Sequence, residues 1–306
     1  MNIFRLVAKQ ISYFVLRLLF LSSLVFFSNL VLAQRGESMS KTQWWLGLKA
    51  GMNATSVTVP ESFAVLSSDV NDGEKAYQSS FDRLGYQVAI QTDFDIFGVV
   101  DISFQPGLRV LKYGYENNWS WLDSTGQPTY ELTNLHNQTL TYLDLPLVFK
   151  FNFISSGQGK ISIKGKDKKD IKIKSSGGLI TFVEGGGFYS RLLSADKKIT
   201  QTIDNLGNET EFLFQKNINN SFINSSYGLL AGLGVGYDFQ AVRVTMDVVY
   251  RMGMHNLTRE ATRFEDDVLV NEYYDAPDNI KFSNWEVSFH VLFPFKFVYG
   301  GSFKKL

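Results

Sequence analysis

The sequence predicts an all-β chain, an eight-stranded antiparallel up-and-down transmembrane β-barrel behind an N-terminal signal peptide. Three observations predict it. Eight segments of about 10 to 14 residues alternate apolar and polar side chains, the length and period of tilted membrane-crossing strands. The connections between them run long, short, long, biased, long, short, long, as in barrels with long external loops and short periplasmic turns. Outward aromatics gather at one end, where a bilayer boundary would hold them. A soluble sandwich gives no reason for one shared aromatic rim.

The start of the chain reads as an export signal. Residues 1–33 carry Arg5, Lys9 and Arg17, no acid, and an apolar run from Leu18 to Val31 that ends in Val31-Leu32-Ala33. Basic residues, an apolar middle and a small residue before the break predict cleavage after Ala33. The alternative is a retained anchor, which Arg17 and Asn29 interrupt. A polar leader, 34–42, follows, then the barrel over 43–296 and a tail over 297–306.

The first strand, Gln43 to Asn53, sets Trp44, Leu46, Leu48, Ala50 and Met52 against Trp45, Gly47, Lys49, Gly51 and Asn53. A long polar connection to about Arg83 precedes the second strand, Gly85 to Phe94. A tight turn leads to the third, whose Val100, Ile102, Phe104, Leu108 and Val110 oppose Asp101, Ser103, Gln105, Gly107 and Arg109. A second long connection spans about Tyr115 to Gln138. The fourth strand, Thr141 to Phe153, separates most cleanly: Leu143, Leu145, Leu147, Phe149, Phe151 and Phe153 share one face.

The biased segment 157–176, with seven lysines and two aspartates, predicts a small periplasmic hairpin. Leu179 to Leu193 is a fifth strand, its facing blurred by Gly185 to Gly187. An Asn-rich connection covers about Ala195 to Ser225. The sixth strand, Tyr227 to Phe239, and the seventh, Arg243 to His255, flank a tight turn. An acid-rich connection precedes the eighth, Asn284 to Phe295.

Composition excludes several classes. The chain has no cysteine, hence no disulfide framework, lipid-attachment thiol or thiolate metal site. The mature 273 residues hold 27 basic and 30 acidic side chains, without the basic excess a nucleic-acid partner would need.

Leu46 to Asn53 (LGLKAGMN) resembles the first strand of the small outer-membrane barrels common in Bacteroidetes, the PorT-like family, and Tyr142 to Lys150 (YLDLPLVFK) resembles its central strand. Phe104 to Leu108, Gly228 to Gly234 and Tyr250 to Asn256 are similar to later strands. The resemblance implies an eight-stranded outer-membrane barrel, with one branch taking part in protein secretion and gliding. The lysine-rich insertion departs from the family's short turn.

The inward positions supply a candidate charge network: Lys49, Arg109, Lys150, Arg243 and Arg251 with Asp93, Asp101, Asp144, Asp238, Asp247 and Glu286. An eight-stranded interior is barely wide enough for its own side chains, so mutual pairing as a plug is the expectation and an ion path the alternative. Trp44, Phe94, Phe151, Phe153, Tyr237, Phe239, Phe293 and Phe295 form the expected periplasmic aromatic girdle. Lys160, Lys164, Lys168 and Lys169 of the hairpin, and Trp119 and Trp121 of an external loop, are candidate partner contacts. The hairpin lysines are alternatively solvated, and the tryptophans alternatively pack over the barrel mouth, as could Tyr273 and Tyr274.

His136, His255 and His290 lack metal-motif spacing. Ser288 and His290 with Glu286 would face inward, whereas a lipid hydrolase needs its site at the external lipid boundary. The glycine runs lack the residues of a phosphate loop. No cofactor, metal or catalytic residue is expected. The sequence points to a non-enzymatic outer-membrane barrel, exported through a cleaved signal, in contact with lipid and with an envelope or secretion-machinery protein. The alternatives are a small passive channel or, less favoured, a lipid-modifying hydrolase.

Overall fold

A computed structural model describes residues 42–65, 75–96, 100–122, 128–156, 160–164, 170–174, 178–205, 208–239 and 242–296. The expected signal peptide, the leader up to residue 41 and the tail 297–306 lie outside them. Among the described residues the chain forms β1 (Thr42–Glu61), β2 (Ala76–Tyr77), β3 (Leu84–Ile96), β4 (Val100–Phe104), β5 (Gly107–Leu122) and β6 (Pro128–Ser156). There follow β7 (Lys160–Lys164), β8 (Asp170–Lys174), β9 (Gly178–Asn205), β10 (Asn208–Asn217), β11 (Ser225–Phe239), β12 (Val242–Gly253), a short helix α1 (Asp267–Glu272) and β13 (Asn279–Lys296).

The wall runs β1, β3, β4 with β5, β6, β9, β11, β12, β13, and β13 returns to β1. β4 and β5 occupy one position, split where Pro106 removes a ladder N–H, so the ring has eight strands. Neighbours pair antiparallel, and closure at the β13–β1 seam needs a bare backbone: a Cβ on Gly47 would lie 1.9 Å from the Val291 carbonyl oxygen. β7 and β8 pair only with each other, Lys160 opposite Lys174 and Lys164 opposite Asp170, which is the expected hairpin.

Along the wall the outward residues are large, apolar and exposed, among them Leu48, Ile90, Leu147, Leu233, Val287 and Phe289. Inward neighbours such as Gln91, Asp93, Ser103, Lys150 and Glu286 are buried. That is the reverse of a soluble domain and the arrangement of a lipid-facing barrel.

Of the connections expected as polar loops, two are largely strand and a third begins as one. β1 continues to Glu61, β5 and β6 continue as a hairpin to Leu122 and Pro128, and β9 runs to Asn205 before returning as β10. The two-residue period never stops in these stretches; its sense inverts. Above the wall the apolar members, Tyr113, Tyr115, Trp119, Leu132, Leu140 and Ile199, point inward, while Asn118, Glu131 and Lys198 point to solvent. Water replaces lipid there, so the outward face becomes polar.

The inward residues bury against segments 218–223 and 257–282, forming an apolar core with Ile218, Phe222, Leu257, Leu269, Ile280 and Phe282. A folded cap thus sits over the barrel mouth. A register shift opposite Thr141 and Tyr142, which pair with Ser194 and Leu192, leaves Leu193 unpaired as a bulge. The extra residue turns Ala195, Lys197 and Ile199 inward.

Candidate functional site: a plugged lumen beneath a cap

The lumen charges assemble in three tiers. At the short-turn end Arg243 reaches Asp101 and Asp238 at 3.2 Å and Asp95 at 3.4 Å, with its guanidinium 4.3 Å from the centre of the Trp45 ring. In the middle, Lys150 meets Asp93 at 3.3 Å, Gln91 donates to both Asp93 oxygens, and Lys49 lies 3.7 Å from Asp247 while donating to Gln105. His290 bridges this tier, with Nε2 2.7 Å from Asp247 and Nδ1 against Gln91.

At the upper tier Arg251 holds Asp144 through two donors, at 2.7 and 2.9 Å, and reaches Glu286 at 3.2 Å. Arg109 adds a 2.9 Å bridge to Glu286, and Ser190 donates to Asp144. All eleven predicted inward charges therefore line the lumen and join ion pairs with one another. Two inward acids were missed. Asp95, partly buried, belongs to the Arg243 tier, and buried Glu184, between glycine-blurred faces, lies beside Asp247 with Lys150 and Lys49 as the cations acting on it.

Packing between the tiers is tight. Two voids beside Arg109 measure about 10 and 20 Å³, room for about one water each. The paired charges fill the interior, as the bore of an eight-stranded barrel requires.

A second polar cluster, found inside the cap, was absent from the sequence reading because its members come from five distant segments. Lys75 lies 3.0 Å from Asp278 and 3.5 Å from Asp275, and Lys197 pairs with Asp275. Tyr115 donates its hydroxyl to Asp275 at 2.8 Å, Tyr77 donates to Asp278 at 2.7 Å, and His136 stacks on Tyr115 at 4.5 Å. Burial alone would raise the Asp275 carboxyl; Lys197 and Lys75 override it and hold it well below the usual carboxylate range. Burial lowers the Lys197 ammonium, against which Asp275 pulls upward. His136 is pushed down to about 3, chiefly by burial and then by Lys197. A neutral imidazole follows, its Nε2 donating to Asn117 at 2.9 Å.

The aromatic girdle residues Trp44, Phe94, Phe151, Phe153, Tyr237, Phe239 and Phe293 lie at the short-turn end of the outward face, with Trp44 stacked on Phe94 at 4.9 Å. The side chain of Phe295 lies outside the described residues. A second ring, missed because it is sparser, sits at the other boundary: Tyr86, Tyr189, Tyr227, Tyr250 and Trp285. Tyr227 and Tyr237 stand ten positions apart on β11, which at ~3.4 Å per residue and ~40° tilt spans roughly 25 Å, the height of a barrel's apolar band.

Among the candidate partner contacts, Trp121 is exposed on the external hairpin, whereas Trp119 is buried and packs edge-on against Tyr274 at 5.7 Å. Trp119 thus belongs to the cap's interior, a correction to its reading as a surface anchor. Lys160 and Lys164 fall in β7, while Lys168 and Lys169 lie outside the described residues. Ser288 and Glu286 point into the lumen with His290, each buried, and Gln87 donates to both Ser288 and Glu286. His290 faces Asp247 instead, so the three do not form a nucleophile, base and acid chain.

A family model described as the outer membrane protein beta-barrel domain matches residues 32–259. No curated protein matches the sequence. Among solved structures the chain is similar to Neisserial surface protein A, at 12% identity over 84% of this chain and 100% of that one, with a TM-score of 0.31. It is also similar to the outer membrane protein OprG from Pseudomonas aeruginosa, at 10% identity over 84% and 98%, TM-score 0.36. The outer membrane protease OmpT from Escherichia coli matches at 8% identity over 85% and 99%, TM-score 0.29.

Proposed function

Since the chain belongs to the outer membrane protein β-barrel domain family, we propose that it is a closed, non-enzymatic barrel that holds a folded cap outside the cell for contact with an envelope or secretion-machinery partner. The observation that carries this reading is the tiered lumen. Five buried cations bind carboxylates from strands that are not their neighbours in the wall, so a solute path would require breaking several buried ion pairs, at roughly 3–5 kcal/mol for each pair split. A cap with its own apolar core stands over that plug. The strand motifs beginning at Leu46 and Tyr142 favour the PorT-like branch, and the lysine hairpin β7–β8 offers a periplasmic contact on the opposite side.

Purified protein in planar bilayers is expected to be electrically silent. Steady single-channel conductance would overturn the closed reading in favour of the passive channel. Crosslinked envelopes are expected to yield one defined partner that is lost when the β5–β6 hairpin tip is trimmed. Recovery equal to that of an unrelated barrel would remove the contact role.

A further inference from the structure

β10 is the outermost strand of the external sheet. It bonds to β9 from Asn208 to Asn217, and no further strand pairs with its other edge among the described residues. A ten-residue open edge is a template for another strand, and chains that avoid such pairing blunt the edge with lysine, proline or a bulge. Here positions 208–215 carry no lysine, proline or bulge, their only charges being the acids Glu209 and Glu211, and Phe212 and Leu213 stand exposed at 51% and 64%.

The chemistry of the two faces differs. On the solvent face Glu131, Asp204 and Glu209 lie directly opposite one another across β6, β9 and β10, with Glu211 one position further along the same face of β10. Like charges in direct cross-strand opposition destabilise a sheet. No lysine or arginine occurs in the described tip residues 116–122, 130–135, 200–205 and 208–213. On the other face Phe212 sits beside Phe214, which stacks on Tyr273 of the cap at 5.0 Å. An added strand that matched both faces would alternate basic and apolar side chains.

We infer that the open edge of β10 takes up an extended segment of alternating cationic and apolar residues as an additional strand, its basic side chains over Glu209 and Glu211 and its apolar ones beside Phe212. Main-chain hydrogen bonds supply the pairing, and the alternating pattern supplies selectivity. The inference rests on the proposal that the cap is the contact face, and it names the chemistry of what the cap contacts.

The test uses full-length protein in nanodiscs and a fluorescent seven-residue peptide alternating Lys and Val, read by anisotropy. Saturable binding is expected, weakened about ten-fold in the Glu209→Gln/Glu211→Gln variant, the loss expected for two exposed charge pairs. A peptide of the same composition with its lysines and valines in two blocks, and one with alternate amides N-methylated, should bind at least ten-fold more weakly still. Equal binding of all three peptides would reduce the effect to unspecific charge attraction and overturn the inference. So would the absence of binding, or binding untouched by the double substitution. Heat-modifiable gel migration of the variant checks that it folds. Conductance is measured on the same preparation, so an open barrel is distinguished from an unoccupied edge.

Discussion

His136 illustrates how far burial can carry one side chain from its solution behaviour. The ring has no exposed surface and titrates near 3, against about 6.5 in an unfolded chain. Between those values the unfolded chain binds a proton that the folded cap refuses. Cap stability is therefore full above about pH 6.5 and falls as pH drops toward 3, by an amount on the order of a few kcal/mol. His136→Phe, which keeps a ring against Tyr115 and cannot titrate, is expected to flatten that dependence, measured as cap hydrogen exchange between pH 7 and 4. An unchanged slope would place the acid sensitivity elsewhere. At this scale the sequence was informative wherever a residue's facing followed from strand period. The eleven lumen charges were legible because an inward position in a narrow barrel has only one environment. The Lys75, Lys197, Asp275 and Asp278 cluster was illegible because no local period links three remote segments.

At the scale of elements, the wall strands were readable to within a few residues and their continuations were not. Lipid selects apolar outward residues, and a reading tuned to that code stops where the code inverts. Beyond about Val110 on β5 and Leu192 on β9, the apolar residues turn to the cap interior, so the stretches looked like polar loops. Leu193 marks the hand-over on β9. Deleting it removes the bulge but leaves every existing pair in place, Leu192 opposite Tyr142 and Ser194 opposite Thr141, so Lys197 and Ile199 keep their inward facing. The expected outcome is a barrel with heat-modifiable migration whose cap resists external protease as the wild type does. A cap cut by protease would show that Leu193 does more than carry the change of facing.

At the scale of the whole described unit, two kinds of interior are stacked along one set of strands: a polar lumen surrounded by lipid and an apolar cap surrounded by water. Their stabilities depend on different terms, so they should separate in denaturant. Amides of the cap, such as Ile199, are expected to exchange through opening at lower urea than wall amides such as Val148. Coincident exchange would make the two a single cooperative body. β6 and β9 cross both interiors, paired from Tyr130 opposite Asn205 down to Ser156 opposite Leu179 with two single-residue register shifts along the way. A tug applied at the outer tip would load that ladder lengthwise, sharing the force among many bonds at once instead of peeling them one by one. Such an element is built to stay anchored under drag.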